Sequence, residues 1–255
     1  MATLTAVGIV AQEDMVLSEV GLSHTKQEPI IVTADQQVFL IPEIGHRDAI
    51  ITANPDIIVD FAKDNLLERC QMYCELGIPF VMGSTGGDLI AIKSLVEQSQ
   101  ISAVIAPNMA SPIVVIQSML EHAAQNFPGF LNDYSLKIAE SHQEEKADTS
   151  GTAIAFEKLF NKMGAVSDED GILSIRDRLF QKRILGISEQ YLDGHGHHEY
   201  ALVSKDGGVH IALVHNIDGR NVYVDGTILA IRFMAYKLGV EGRVFSMVDV
   251  LKKAD

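Results

Sequence analysis

Two cysteines and a deficit of basic residues set the first limits on this chain of 255 residues. Cys70 and Cys74 stand four apart in a helical pattern whose apolar face is buried, so both are expected as reduced core residues. Lys plus Arg number 20 against 34 Asp plus Glu, a net charge of −14. A field of that sign disfavours nucleic acid as a partner and obliges any anionic ligand to find a local basic pocket. No run approaches the ~20 apolar residues of a membrane helix, so no membrane partner is expected. The opening MATLTAVGIVAQED has neither the basic and apolar build of a signal peptide nor the arginines of a transit peptide. A reducing, cytoplasmic compartment is the simplest expectation. Repeats and low-complexity segments are also lacking. What is there, 47% hydrophobic and 21% charged residues, suits a globular protein of one large or two smaller domains.

The first 110 residues alternate between buried-strand and amphipathic-helix patterns. MATLTAVGIVAQED predicts a helix over 2–13 with Leu4, Val7 and Val10 on its inner face, and MVLSEVGLS then reads as a strand. DIIVDF (56–61) is a β-branched apolar run expected to be buried on both faces. NLLERCQMYCELG follows as a helix with Leu66, Leu67, Cys70, Tyr73 and Cys74 inward and Gly77 as its stop. PFVMGSTGG (79–87) is a strand running into a glycine turn, Asp88 caps the next helix, and AVIAPNMAS (103–111) is a third strand and turn before Pro112. Such alternation predicts a parallel sheet with helices on its faces. After about residue 130 the texture becomes α+β. YSLKIAESHQ alternates as a strand, a helix runs from Ser150 to Met163, and 183–224 is mostly extended with turns at Asp206-Gly207-Gly208 and Asp218-Gly219. GTILAIRFMAYKLG (226–239) returns to helix and RVFSMVDVL closes the chain. The expected division is 1–110 with 221–255 as one domain and 111–220 as the other.

The densest chemistry lies in ESHQEEKADTSGTA (140–153). On a strand Glu140 and His142 point the same way. Ser150-Gly151-Thr152 opens a helix whose free amides and dipole attract an anion, and Lys146 stands within reach. Two readings fit the segment: a carboxylate site beside a proton donor, or an ordinary Ser150 cap after a solvated charged loop. The turns GSTGG (83–87) and APNMA (106–110) sit at the carboxyl ends of parallel strands, where open α/β sheets bind ligands; tight turns that need glycine are the plainer account. GHGHHEY (194–200) matches no common zinc spacing, so no metal is expected and its histidines are read as solvent-facing strand residues. HNIDGRNVYVDGT (215–227) places Arg220 in a turn, as a carboxylate partner or as an exposed arginine.

Taken together, ESHQEEKADTSGTA, DIIVDF, GIPFVMGSTGGD, APNMA, GHGHHEY, HNIDGRNVYVDGT and VFSMVDVL resemble, in order and over nearly the whole chain, dihydrodipicolinate reductases of the plant-type branch. The resemblance implies an α/β fold: a Rossmann-like dinucleotide-binding domain, N-terminally incomplete here, and an α+β substrate domain with an open mixed sheet. It also implies reduction of a cyclic imine dicarboxylate, dihydrodipicolinate or its hydrated form, to tetrahydrodipicolinate by NADH or NADPH in lysine and diaminopimelate biosynthesis. By resemblance, His142 is the general acid and Lys146 its neighbouring cation. Ser150, Gly151 and Thr152 hold a substrate carboxylate, with Arg220 near the closed site. Gly83, Thr85 and Gly86 form a nicotinamide-side turn, and Ala106, Pro107 and Asn108 a second cofactor-lining turn. A homotetramer built through the substrate-domain sheet is implied, and a plastid location if the source is a plant or alga.

The sequence departs from the family's pattern in places. Gln143 stands where many bacterial members have a second histidine and Thr149 where they have Ala-Pro; the plant-type branch agrees with this chain at both. Ala62 and the lack of a proline after it differ at the end of DIIVDF. The family's opening strand and glycine fingerprint have no counterpart before Met1, which falls where the fingerprint's methionine stands, so an upstream segment and weak dinucleotide binding by these 255 residues are expected. The alternatives are a non-catalytic relative acting as a binding or assembly factor, and a dehydrogenase acting on aspartate or homoserine. No arginine lies in SEVGLS (18–23), which favours NADH, although HTK (24–26) follows within reach.

Overall fold

The computed structural model describes residues 1–23, 29–34, 36–84 and 87–252. Its elements follow the chain as α1 (Ala2–Val10), β1 (Val20–Leu22), β2 (Ile30–Thr33), β3 (Gln36–Ile41), α2 (His46–Ala53), β4 (Ile58–Asp60), α3 (Leu66–Leu76), β5 (Phe80–Met82), α4 (Leu89–Glu97) and β6 (Ser102–Ile105). There follow α5 (Ser111–Asn126), β7 (Tyr134–His142), α6 (Gly151–Lys162), β8 (Val166–Ile175), α7 (Arg178–Arg183), β9 (Gly196–Ser204) and β10 (His210–Ile217). The chain closes with α8 (Asn221–Tyr236), β11 (Arg243–Phe245) and α9 (Met247–Leu251). Two compact units result, one of Met1–Ser111 with Tyr223–Asp255 and one of Pro112–Val222.

In the first unit, β4, β5, β6 and β11 form a parallel sheet in the order β11-β6-β5-β4. The buried strands Phe80–Met82 and Ser102–Ile105 have no exposed face, as expected where helices cover both sides. Cys70, Tyr73, Ile92 and Val96 from α3 and α4 complete a core with Phe80, Met82, Ala103 and Ile105. Gly77 ends α3 with a φ of +71°, and the Asp88 carboxylate accepts from the amides of Ile90 and Ala91 to cap α4. The free thiol of Cys70 is buried and that of Cys74 half-buried. Burial pushes the Cys70 thiol up to about 12, which makes it an unreactive core residue.

Several expectations change here. β4 is shorter than the apolar run and, among the described residues, pairs with β5 alone; Ile58 and Val59 stay partly exposed and Asp60 is the buried residue of the strand. β2 and β3 pair antiparallel and β3 takes β1 as a parallel partner, an arrangement the periodicity does not announce. The inner face of α1 is Thr5, not Leu4 and Val7, which are exposed. The reason is close approach: a Cβ on Gly8 would lie 2.5 Å from Val224 Cγ1, so the small side of the helix faces α8. In α3 Leu67 is exposed, and Arg69 is buried beside Leu66, Cys70 and Tyr73. Finally α8 begins at Asn221, so Asn221–Val224 is helical and not extended.

The second unit is a mixed sheet of order β10-β9-β7-β8, antiparallel except for the β7–β8 pair. α6 covers it through Phe156 and Phe160, whose rings lie 5.0 and 5.8 Å from that of Tyr200.

One glycine is forced by packing. A Cβ on Gly226, inside α8, would fall 1.8 Å from the Met109 carbonyl oxygen. Helix propensity alone favours Ala over Gly by about 1 kcal/mol, whereas overpacking of this kind costs about 1–3 kcal/mol. Because the clash is with backbone, Gly226→Ala is expected to lower the urea midpoint; a raised midpoint would show that the helix shifts freely.

Candidate functional site

β7 presents Leu136, Ile138 and Glu140 in one buried row, with His142 at its end. A carboxylate in that row needs partners from within the protein. Arg176, just after β8, supplies them: its Nη2 donates to Glu140 Oε1 at 2.6 Å and its Nη1 to Oε2 at 3.0 Å, while Ser174 Oγ donates to Oε1 at 2.6 Å. Burial pushes the Glu140 carboxyl up, but the hydrogen bonds from Arg176 and Ser174 and the nearby positive charges outweigh it and hold it below the usual carboxylate range. The same guanidinium donates to the carbonyls of Lys146 at 2.8 Å and Asp148 at 3.2 Å. The charged loop of the signature segment is thus hung on Arg176.

His142 donates from Nδ1 to the His195 carbonyl at 3.1 Å. A carbonyl only accepts, so the neutral ring carries its proton on Nδ1 and leaves a lone pair on Nε2. Nε2 is buried without a hydrogen-bond partner, 3.7 Å from Glu140 Oε2. Burial lowers the imidazole to about 4, against the pull of Glu140 and with the help of the Lys146 and Arg176 charges. The ring of the free protein is therefore neutral at neutral pH. Lys146 lies close enough to act on the ring electrostatically, and its Nζ pairs with Asp148 Oδ1 at 2.8 Å.

At the start of α6, Ser150 is the cap: its Oγ accepts from the Ala153 amide at 3.4 Å and lies 2.8 Å from His198 Nε2. Ser150 is buried and its hydroxyl is turned into the protein, so it shapes the turn, and the outward groups are the first-turn amides of Gly151 and Thr152. A Cβ on Gly151 would meet nothing within 4 Å, so the fold itself does not require glycine there. The His198 ring lies 5.2 Å from that of His142, which joins the imidazole to the helix start through a single side chain. Arg220, exposed in the bend before α8, donates from Nη2 to Asp193 O at 3.3 Å and borders the 193–196 segment that holds His142.

The histidines of GHGHHEY are not solvent-facing. His195 and His198 are buried, and His197 pairs with Asp218 Oδ1 at 2.8 Å. His195 donates from Nδ1 to the carbonyls of Leu192 and Tyr191 and accepts from Ser141 Oγ at 2.9 Å. The β9 register opposite β7 explains the burial: Glu140 faces His198 and His142 faces Gly196, so this strand lines the same row. Among the described residues, no group of three or more His, Cys, Asp or Glu is arranged to hold a metal ion. Arg176, His195, His198 and Gln181, whose Nε2 donates to the His142 carbonyl at 2.8 Å, all escape the sequence reading. One signal was available: Glu140 shares the parity of Leu136 and Ile138, which calls for a buried cation without saying which.

In the first unit, the register Asp60↔Met82↔Ile105 brings Phe61, Gly83 and Ala106 to one edge of the parallel sheet. A Cβ on Gly83 would lie 2.5 Å from Phe61 Cε1, so the Phe61 ring must shift for any side chain there. Ala106 is buried, Pro107 exposed, and Asn108 Oδ1 accepts from the Ala110 amide at 2.9 Å. Thr85 and Gly86 lie outside the described residues. Asp60 is gripped by Arg69 Nε at 2.8 Å and Tyr73 Oη at 3.1 Å, and Arg69 also donates to the carbonyls of Ala62 and Asp64, which fixes the loop after β4.

His215 stacks on His198 with centroids 4.6 Å apart and leaves both ring nitrogens buried without a hydrogen-bond partner. Burial lowers it from 6.5 to about 4. The unfolded ring therefore binds a proton that the folded one refuses, so stability is full above pH 6.5 and is lost as pH falls toward 4. His215→Phe is expected to remove about 1–2 kcal/mol of that loss at pH ~5. Denaturation curves at several pH values check this; an unchanged slope would count against it.

Residues 8–109 match the family described as dihydrodipicolinate reductase, N-terminus, and residues 112–251 its C-terminus. The chain is 39% identical over 202 residues to 4-hydroxy-tetrahydrodipicolinate reductase 2, chloroplastic, of Arabidopsis thaliana, covering 78% of this chain and 58% of that protein. It is 30% identical over 216 residues to the 4-hydroxy-tetrahydrodipicolinate reductase of Methanothermobacter thermautotrophicus, covering 80% of this chain and 75% of that one. The chain spans less than two thirds of the length of the plant relatives it matches. A dipicolinate-bound dihydrodipicolinate reductase from Paenisporosarcina sp. TG-14 has the same fold, with a TM-score of 0.64, 17% identity and coverage of 95% of this chain and 92% of that one. No helix among the described residues is long and apolar enough to cross a membrane. With family matches spanning both of its units, this chain belongs to the dihydrodipicolinate reductase family.

Proposed function

We propose that this protein reduces dihydrodipicolinate, or its hydrated form, to tetrahydrodipicolinate with NADH or NADPH. The observation that carries the reading is His142: a half-buried imidazole with a buried, unpartnered Nε2, joined through His198 to a helix start. The reductase names of the relatives and the dipicolinate in the Paenisporosarcina structure supply the substrate class.

The substrate-side chemistry follows from this chain's residues. The amides of Gly151 and Thr152, with the α6 dipole behind them, receive one ring carboxylate. Lys146 and Arg220 provide positive charge for the dianion in an otherwise acidic protein. That arriving charge raises the proton affinity of His142, so Nε2 takes up a proton that burial otherwise excludes. His142 Nε2–H then delivers the proton to the ring as its electron density increases. A reduced nicotinamide, when bound, supplies the hydride. The turns after β5 and β6 suit it: Gly83 and Ala106 are small residues at adjoining strand ends, with Pro107 exposed and Asn108 half-buried beside them. The first unit is read as the dinucleotide-binding domain and the second as the substrate and oligomerisation domain. A homotetramer through the second unit's sheet would account for the exposed Leu173, Ile211 and Val214. A plastid or cytoplasmic setting completes the reading.

The test follows NADH or NADPH oxidation in the presence of dihydrodipicolinate. His142→Ala is expected to lower kcat ~100-fold or more while dipicolinate still binds. A His142→Ala variant as fast as wild type would end the proposal. Binding itself carries a second expectation. Because free His142 sits at about 4, dipicolinate binding at neutral pH should draw up to one proton from the buffer. Calorimetry in buffers of different ionisation enthalpy measures that uptake, and its absence would remove His142 as the responding group.

A further inference from the structure

We infer that Glu140, held by Arg176, is a positioning residue for His142: its carboxylate is the counter-ion that lets Nε2 carry a proton, and Arg176 ties it to the loop bearing Lys146. This deepens the reductase reading and rests on it for the use made of that proton.

The two oxygens of Glu140 are treated differently. Oε1 receives Ser174 Oγ and Arg176 Nη2, both at 2.6 Å. Oε2 receives only Arg176 Nη1 at 3.0 Å, and it is the oxygen 3.7 Å from His142 Nε2. Two lone pairs confront each other there, on a buried ring nitrogen and a buried carboxylate. A proton on Nε2 turns that opposition into an ion pair, with a small shift of either side chain closing the distance to a hydrogen bond.

The other groups around the ring sharpen the point. Lys146 and Arg176 are cations, and the His195 and His198 rings lie 6.5 and 5.2 Å away. His198 is itself held well below the usual imidazole range, first by burial and then by the neighbouring rings. Glu140 is the negative charge that acts on His142 in this set. Arg176 has a divided effect: its charge opposes an imidazolium, while its fork keeps Glu140 ionised and its bonds to the Lys146 and Asp148 carbonyls set where Lys146 stands. Its fork is therefore what keeps the general acid, its counter-ion and the substrate-side cation in one geometry.

Imidazole NMR of the free, full-length protein across pH separates this role from a merely structural one. Loosening of the site would expose the ring and raise its titration toward an ordinary imidazole in any variant. The inference gives opposite signs instead. In Glu140→Gln, His142 should stay neutral to a pH about 1 unit or more below wild type. In Arg176→Gln it should titrate about 1 unit or more above wild type, because a cation is lost and Glu140 turns to the ring. Glu140→Asp, with the charge kept on a shorter arm, should fall between wild type and Glu140→Gln. A folded Glu140→Gln whose His142 titrates at or above the wild-type pH would overturn the inference. Should that variant fail to fold, or unfold at a pH above the titration of its His142, an unmoved or lowered titration in Arg176→Gln would do the same. The measurement needs no substrate, so it stands apart from the reductase assay: loss of the reductase reading leaves the titration readable, and an active enzyme with the wrong titration sinks only the counter-ion.

Discussion

The ion pair of Glu140 and Arg176 organises the second unit. A carboxylate with 1% of its surface exposed has no water to answer it, and leaving such a charge unpaired costs several kcal/mol. Arg176 answers it with two parallel bonds and also donates to the backbone carbonyls of Lys146 and Asp148, in the loop between β7 and α6, and of Ile175. The position of Lys146 and the distance between His142 and its carboxylate both follow from that arrangement. A lysine at 176 would keep the charge and lose the fork, because a point charge on a flexible stem makes no parallel pair.

Around this pair the protein keeps an unusual store of neutral imidazole. His142, His195, His198 and His215 all titrate below their ordinary value because burial disfavours the charged ring. Each is also a hydrogen-bonding or stacking element: His195 orders the segment behind His142, His198 carries Ser150, and His215 packs between His198 and Phe156. Neutral rings serve as packing at ordinary pH and remain able to take a proton when an anion changes the local field. That combination suits a site for a doubly negative ligand in a protein with a net charge of −14.

The first unit uses the same device at another strand end. Asp60 closes β4, and Arg69 from α3 grips it while holding the carbonyls of Ala62 and Asp64. In both units a buried acid near the end of a strand captures an arginine, from the next helix in the first and from beyond β8 in the second, and the arginine also bonds carbonyls of the loop after the acid's own strand. Gly226 against the Met109 carbonyl shows the complementary constraint, where contact is so close that only the lack of a side chain allows it.

Much of this was legible from local pattern. Period-two alternation marks β7 and places Glu140 beside His142. Ser150-Gly151-Thr152 announces the start of α6, and Gly77 and Asp88 punctuate α3 and α4 as they should. These are properties of a few consecutive residues, so sequence suffices for them. Tertiary structure alone decided the partners. Arg176 lies 36 residues from Glu140 and His198 lies 48 from Ser150, and no local rule links them. His195 and His198 of GHGHHEY look polar and are buried, and pairing with β7 is what draws the strand of His198 into the core. The inner face of α1 is likewise set by the helix it meets, which selects Gly8 and Thr5 over larger apolar side chains. Sequence determines which residues are able to carry charge, cap a helix or span a strand. Which of them lose their water, and to which distant partner they turn, is settled only when the sheet closes.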